Sequence, residues 1–337
     1  MLHDTTPAVR PRDRAVSRFV LVSAVLPVVI VAAGLVALIV AAPHLPDPVA
    51  IHWGAGGEPD GFGPLWLTIT LLAALGLGIP ALLCATTLPP LRRGDRGRTY
   101  PFLAATSLGL TTFLTLLVTI STVGQAGLDV AADAPGIGFA MAVSAPLGLA
   151  AGVVGWFLQP RDRFVSTTPD AAPAAELGAD EHAVWLQRVS IARSGLIVLL
   201  SAVALLVVVT ALTWSLAPDP LAQVVTVGAT LFVGAAVGTN VVFHVRVDAT
   251  GLTVTSAAGW PRVHVPLSDV AEAARVSVEP MGEFGGWGMR WAAGRFGVVL
   301  RRGEGIQVRR RSGKIFVVTV DDAEVGAALL NAFAARG

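Results

Sequence analysis

Six stretches of the chain run for more than 20 residues without a charged side chain: Phe19–Ala42, Leu65–Pro90, Phe102–Gly127, Ala134–Pro160, Ser194–Pro218 and Pro220–Phe243. Crossing a hydrocarbon core about 30 Å thick takes about 20 apolar residues, so each is long enough to span a membrane. A backbone in lipid must satisfy its own hydrogen bonds, so each is predicted helical. Pro27, Pro80 and Pro146 fall inside these helices and predict bends, because proline removes an N–H from the ladder. The first stretch has 24 residues, too long for the apolar region of a cleaved signal, and is read as a retained span. Gly148, Ala151 and Gly152, and later Gly228, Gly234 and Gly238, predict close helix approach. Thr68, Thr70, Thr111, Thr112, Thr119, Gln125, Thr239 and Asn240 are predicted to hydrogen-bond between helices.

Polar positions between the stretches set the orientation. Twelve arginines fall in the N-terminal tail and alternate loops: Arg10, Arg12, Arg14 and Arg18; Arg92, Arg93, Arg96 and Arg98; Arg161, Arg163, Arg188 and Arg193. The other three loops hold only acids: Asp47, Glu58, Asp60, Asp129, Asp133 and Asp219. By the positive-inside rule both termini are expected in the cytoplasm of a bacterial plasma membrane. The predicted organisation is a tail over 1–18, a six-helix membrane domain over 19–243 and a cytoplasmic domain over 244–337. Composition agrees: of 337 residues, 54% are hydrophobic and 14% charged, far from an ordinary soluble domain. A net charge of +1 supplies no field to recruit nucleic acid. The single cysteine, Cys84, rules out a disulfide framework within one chain. No ionisable group lies deep in a span, which argues against a proton-driven carrier.

The loop after the first span, residues 43–64, reads PHLPDPVAIHWGAGGEPDGFGP. Five glycines and five prolines exclude a regular helix. Val49, Ile51 and Trp53 alternate as in a short strand, while Gly56-Gly57 and Asp60-Gly61 read as turns. Trp53, Phe62 and Trp66 suit the headgroup level. His44, His52, Glu58 and Asp60 are the metal-ligand types present, but no pair has standard metal-site spacing, so no metal and no cofactor is expected. His52 and Asp60 are expected to hydrogen-bond within the loop, and no nucleophile accompanies them. The run Leu45-Pro46-x-x-Val49-x-x-His52-Trp53, followed by Gly57-Glu58-Pro59-Asp60-Gly61, resembles the signature of a bacterial membrane family of unknown function. That two-span domain also forms the front half of SdpI-type toxin-immunity proteins. The resemblance covers about 70 residues; it implies an extracytoplasmic loop between the first two spans, and a ligand or loop signature at Pro46, His52, Trp53, Gly57, Glu58, Asp60 and Gly61. SdpI-type proteins confer resistance to a secreted toxic peptide and signal to a repressor. This chain lacks a recognisable second SdpI module and carries another domain at its C-terminus.

After Phe243 the pattern shifts to alternation, and residues 244–337 hold 12 of the 24 basic side chains. Strands are predicted at His244–Asp248, Leu252–Ser256, Arg262–Pro266, Ala273–Glu279, Phe296–Arg301, Ile306–Arg310 and Ile315–Val320. Seven strands at this spacing predict a small barrel or sandwich. A final helix follows, with Asp321 and Glu324 as a capping pair and Val325, Ala328, Leu329, Ala332 and Phe333 as its buried stripe. Seven strands and a closing helix, with the runs FGGWGMR at 284–290 and GVVLRRGE at 297–304, resemble bacterial pleckstrin-homology-like domains. Trp287 is expected to pack on the barrel from its glycine-rich loop. Arg301, Arg302, Arg309, Arg310, Arg311 and Lys314 form a basic set: a solvated strand face, an anionic-lipid surface or a contact for a cytoplasmic protein. Aromatic interleaving for nucleic acid is missing. The connector 164–181 reads as a mobile loop, and His182–Ser190 as a short amphipathic helix with Trp185 and Leu186 toward the membrane.

Together these features predict a non-enzymatic membrane sensor, accessory or immunity-like protein in contact with the bilayer, with an envelope ligand or peptide outside and anionic lipid or a protein inside. The alternative is a small-molecule or peptide transporter. A membrane enzyme is disfavoured because no catalytic constellation is visible.

Overall fold

A computed structural model describes residues 11–54, 56–160, 169–176, 178, 182–216, 220–292 and 294–336. The tail up to residue 10, and residues 164–168, 177 and 179–181 of the predicted connector, lie outside them. The chain divides into two units, Met1–Asp162 and Arg163–Gly337.

The first unit is helical. Helix α1 (Pro11–Val20) passes through a π-helical stretch, Leu21–Val25, into α2 (Leu26–Ala41). The π stretch sits just ahead of Pro27, whose missing N–H leaves the Ser23 carbonyl without its usual partner. Ser107 Oγ donates to that carbonyl at 2.9 Å, so a neighbouring helix repairs the ladder. The chain continues through a hairpin of β1 (Val49–Trp53) and β2 (Pro59–Gly63) into α3 (Leu65–Arg92), α4 (Thr99–Val123) and α5 (Gly138–Phe157). Helix α4 packs against α2, α3 and α5. Its tightest contact is with α5: a Cβ on Gly109 would stand 2.9 Å from the Gly148 carbonyl, and one on Gly148 2.7 Å from Phe113 Cβ. The expected close approach therefore holds at Gly148 and Gly152. Within the second unit it fails at Gly228, Gly234 and Gly238, where an added Cβ would meet nothing within 4 Å.

Contacts at both ends of the bundle fix the parity of the crossings. Gly127 N donates to His44 O at 2.8 Å and Ile137 N to Gly57 O at 3.2 Å, so the segments before α3 and after α4 share one side. Gln159 Nε2 donates to Arg18 O at 3.1 Å, which puts Arg18 of α1 and the end of α5 together on the other.

The second unit opens with β3 (Asp170–Ala171) and β4 (Trp185–Ser190), then the long helices α6 (Arg193–Leu216) and α7 (Pro220–Asn240). With α1–α2 counted as one, six helices are long and apolar enough to cross a membrane. Thr210 and Thr230 hydroxyls meet at 2.9 Å between α6 and α7. Of the eight residues predicted to bond between helices, four instead bond back to their own: Thr70 to Trp66 O, Thr112 to Leu108 O, Thr239 to Ala235 O and Asn240 to Ala236 O, while the buried hydroxyls of Thr68 and Thr119 have no partner. A hydroxyl or amide one turn along reaches its own carbonyl without needing a neighbour.

Strands β5 (Val242–Asp248), β6 (Gly251–Ser256) and β7 (Arg262–Pro266) follow, and β4–β5–β6–β7 form an antiparallel sheet. Then come β8 (Val270–Val278), helix α8 (Pro280–Phe284), β9 (Gly288–Ala292), β10 (Arg295–Val299), β11 (Gly303–Arg310), β12 (Ile315–Thr319) and helix α9 (Ala323–Arg336). The second sheet runs β3–β8–β11–β12–β10–β9, with β10 and β12 parallel. Phe243, Val245, Leu252 and Val254 of one sheet, Ile306, Val308, Phe316 and Val318 of the other, and Leu330 and Phe333 of α9 share one core. A smaller cluster of Val276, Val278, Phe284, Val299 and Val317 lies apart from it.

The seven predicted strands are present in substance, but the described residues of this unit hold ten. The predicted helix at His182–Ser190 is largely strand β4: Trp185, Gln187 and Val189 alternate inward, and Trp185↔Val247 to Ser190↔Val242 pair with β5. The sheet thus draws on residues ahead of α6 as well as on 244–337. The connector is tied down where it is described: β3 pairs with β8, and Ala175 N donates to Ala328 O at 3.0 Å. Asn331 joins the same seam, accepting from Ala273 N and donating to Ala172 O and Ala273 O, each at 2.8 Å. On α9, Leu329, Ala332 and Phe333 of the predicted stripe are buried, but Val325 faces solvent and Ala327 and Leu330 extend the core face instead. Asp321 precedes the helix and pairs with Arg301 at 2.5 Å.

Candidate functional site

Pro43, Pro46 and Pro48 keep the chain from continuing α2, and a single 3-10 turn, Ala42–His44, closes that helix. The alternation of Val49, Ile51 and Trp53 then gives β1 as expected. The second strand is a correction. Asp60-Gly61 lies inside β2, with His52 opposite Gly61, and the turn, with Gly56 and Gly57, comes before Pro59. Gly57 makes that turn at φ +82°, its N–H bonded to Gly54 O at 2.9 Å. The ladder shifts register on both sides of His52, so the strand is locally bulged there. A Cβ on Gly61 would sit 2.8 Å from His52 Cβ and one on Gly54 2.7 Å from Asp60 Oδ2. Both glycines therefore make room for the side chains of the pair beside them.

Within that frame His52 Nδ1 and Asp60 Oδ1 meet at 2.5 Å, with more than half of each side chain exposed. So open a pair contributes at most about 1 kcal/mol to stability. Glu58 is exposed and offers its carbonyl to Gly54 N, and Pro46 is buried. Of the predicted signature, His52, Asp60 and Gly61 converge, Trp53 is adjacent, and Gly57 and Glu58 build the turn. Among the described residues no three His, Cys, Asp or Glu side chains gather as a metal site would need.

The hairpin is held by residues that sequence reasoning did not connect to it. Gln125, fully buried just past α4, accepts from Ala50 N at 2.8 Å and donates to Ala50 O at 3.0 Å. Trp53 Nε1 donates to Pro135 O at 3.1 Å, and Ala50 packs with Ala131 and Ala134. Gln125 stood out in the sequence as polar in an apolar run, but its partner is a backbone 75 positions away.

Beneath β1 lies a cavity of about 270 Å³, lined by Ala50 to Trp53 of the hairpin, Thr68 and Leu71 of α3, Leu117, Val118, Ser121 and Thr122 of α4, and Ile137. Thr68 is 8% exposed, and its Oγ1 has no hydrogen-bond partner.

The basic set of the second unit separates into two groups. Ala192, at the foot of α6, donates its N–H to Leu300 O at 2.7 Å, so Arg301 and Arg302 lie at the helix end of the sheet. Strand β11 then runs eight residues, about 26 Å, to Arg309 and Arg310. Arg301 pairs with Asp321 at 2.5 Å, Arg302 with Glu279, Arg309 with Glu272 at 2.6 Å and Arg310 with Asp269 at 3.6 Å. Arg311 and Lys314 are exposed at the β11–β12 turn. Trp287 packs against the core, as expected, and stands beside Gly195 at the start of α6.

A family model described as a domain of unknown function (DUF1648) matches residues 29–77, from within α2 through the hairpin to the middle of α3. No curated protein and no solved structure matches the chain.

Proposed function

We propose that this integral membrane protein is a non-enzymatic sensor or accessory of the bacterial envelope, with an immunity-like role in which the hairpin meets an extracytoplasmic ligand or peptide. The carrying observation is the hairpin itself. An irregular, glycine-rich segment is anchored by hydrogen bonds to Gln125 and Pro135, and still presents an exposed His52–Asp60 pair. Fixed backbone under exposed polar groups suits recognition. The resemblance to SdpI-type proteins favours a toxic peptide as the ligand. The arginine distribution supports placing the hairpin outside and the sheet domain in the cytoplasm. The closing helix and sheets support a pleckstrin-homology-like reading of that domain, in which Arg301 and Arg302 lie near the bilayer and Arg311 and Lys314 are left for a cytoplasmic partner.

A deletion strain challenged with envelope-active peptides tests this. Selective sensitivity is expected, rescued by the wild type and not by His52→Ala/Trp53→Ala/Asp60→Ala expressed at equal level. Full rescue by the triple variant removes the hairpin from the mechanism.

A further inference from the structure

We infer that the cavity beneath β1 is a binding site for a single-chain amphiphile with an uncharged, hydrogen-bonding headgroup. This deepens the reading above and rests on it for the hairpin as the ligand-contacting element. The walls carry the argument. Ile51, Leu71, Leu117, Val118 and Ile137 are aliphatic; no carboxylate, lysine or arginine lines the space, and His52, its one ionisable lining side chain, is already paired with Asp60. An alkyl chain gains there what a charged ligand would lose, because burying an unpaired charge is costly. At about 270 Å³ the cavity is just below the usual size of ligand pockets, which suits a chain better than a bulky ring system.

The polar groups lie at one end. Thr68 is in the first turn of α3 and Thr122 in the last turn of α4, level with His52 and Trp53 of the roof. Leu71, Leu117 and Val118 lie further along the helices. A headgroup at the hairpin and a tail along those residues match that gradient, and Trp66, exposed at the start of α3, marks the same level as an interface. Thr68 gives the specificity. A buried hydroxyl without a partner is unfavourable, and it lacks the back-bond to its own helix that Thr70 makes to Trp66 O. Rotation about its Cα–Cβ bond exchanges the hydroxyl with the methyl group and turns it toward a neutral donor or acceptor.

The test uses the full chain in detergent-free lipid nanodiscs with a dodecanol carrying a diazirine in its chain. Photolabelling is expected to saturate on Leu71, Leu117, Val118 and Ile137 and to be displaced by plain dodecanol. Thr68→Val keeps shape and should weaken displacement about tenfold, the equivalent of one hydrogen bond. Val118→Trp fills the space and should abolish the saturable fraction. The outward groove at Gly109, Leu110, Leu149 and Val153 reports non-saturable lipid contact in the same sample. Labelling in the cavity that never saturates, or that survives Val118→Trp in a variant with an unchanged melting temperature, overturns the site. Indifference to Thr68→Val overturns the role of its hydroxyl, and equal displacement by dodecanoate or dodecylamine overturns the neutral headgroup. Absence of saturable labelling together with a hairpin-dependent phenotype sinks the amphiphile alone. Saturable labelling in a protein whose hairpin variants rescue fully sinks the sensor reading alone.

Discussion

Gln125 ties the hairpin to the end of α4. One amide satisfies both backbone groups of Ala50 and a carbonyl in the last turn of α4, Ser121 O at 3.0 Å. Gln125→Leu would leave a buried N–H and C=O unpaired, at about 1–3 kcal/mol each. Hydrogen exchange at Ala50 and its neighbours should rise at least tenfold in that variant while the core of α4 stays protected; unchanged exchange would show the hairpin to be held elsewhere. Asp248 makes a different point, since its surroundings pull in opposite directions. Burial raises its carboxyl pKa, but hydrogen bonds from the Thr250 hydroxyl and N–H, with the Arg246 guanidinium at 2.5 Å, outweigh this and hold it below the usual carboxylate range. A folded-state pKa below the unfolded one stabilises above the unfolded value of about 3.9 and is lost as pH falls through the folded one. Asp248→Asn should therefore lower the melting temperature at pH 7, and the gap to wild type should close as the pH drops below about 4. A gap independent of pH would assign the effect to hydrogen bonding rather than charge.

The helices divide into those that need their small residues and those that do not. Gly148 has the α4 backbone against it, whereas Gly234 on α7 has open space. Gly148→Leu should force α4 and α5 apart and lower thermal stability by several degrees, while Gly234→Leu leaves it within error; equal effects would refute the packing argument. All six spans were legible in the sequence because an uncharged run of that length has few other readings. Strand β1 was legible from alternation, but β2 was not, since PDGFG carries turn residues whose strand geometry comes from pairing with β1. Strand β4 was missed because its partner, β5, lies beyond two spans, and β9 because a glycine run precedes it. At the site, His52 and Asp60 announced themselves by residue type. Gln125, Pro135 and Thr68 did not, because they act through backbone groups or through lacking a partner, and neither leaves a pattern along the chain.

Each unit carries its own evidence for how the chain threads the bilayer, independent of charge. In the first, the segments before α3 and after α4 touch on one side, and Arg18 of α1 meets Gln159, just past α5, on the other. In the second, β4 enters α6 and β5 leaves α7, yet the two strands are hydrogen-bonded neighbours, closed by Ile191 N to Val241 O at 2.8 Å. That pairing bears on synthesis. When β4 leaves the ribosome its partner does not yet exist, and two spans must enter the membrane and return before β5 arrives. The sheet is thus a checkpoint on insertion. A chain whose sixth span fails to cross back leaves β4 and β5 on opposite sides, each an unpaired edge open to aggregation. A pair in which only one helix crosses holds the two strands apart, so folding of this domain reports that the membrane has not been left half-crossed.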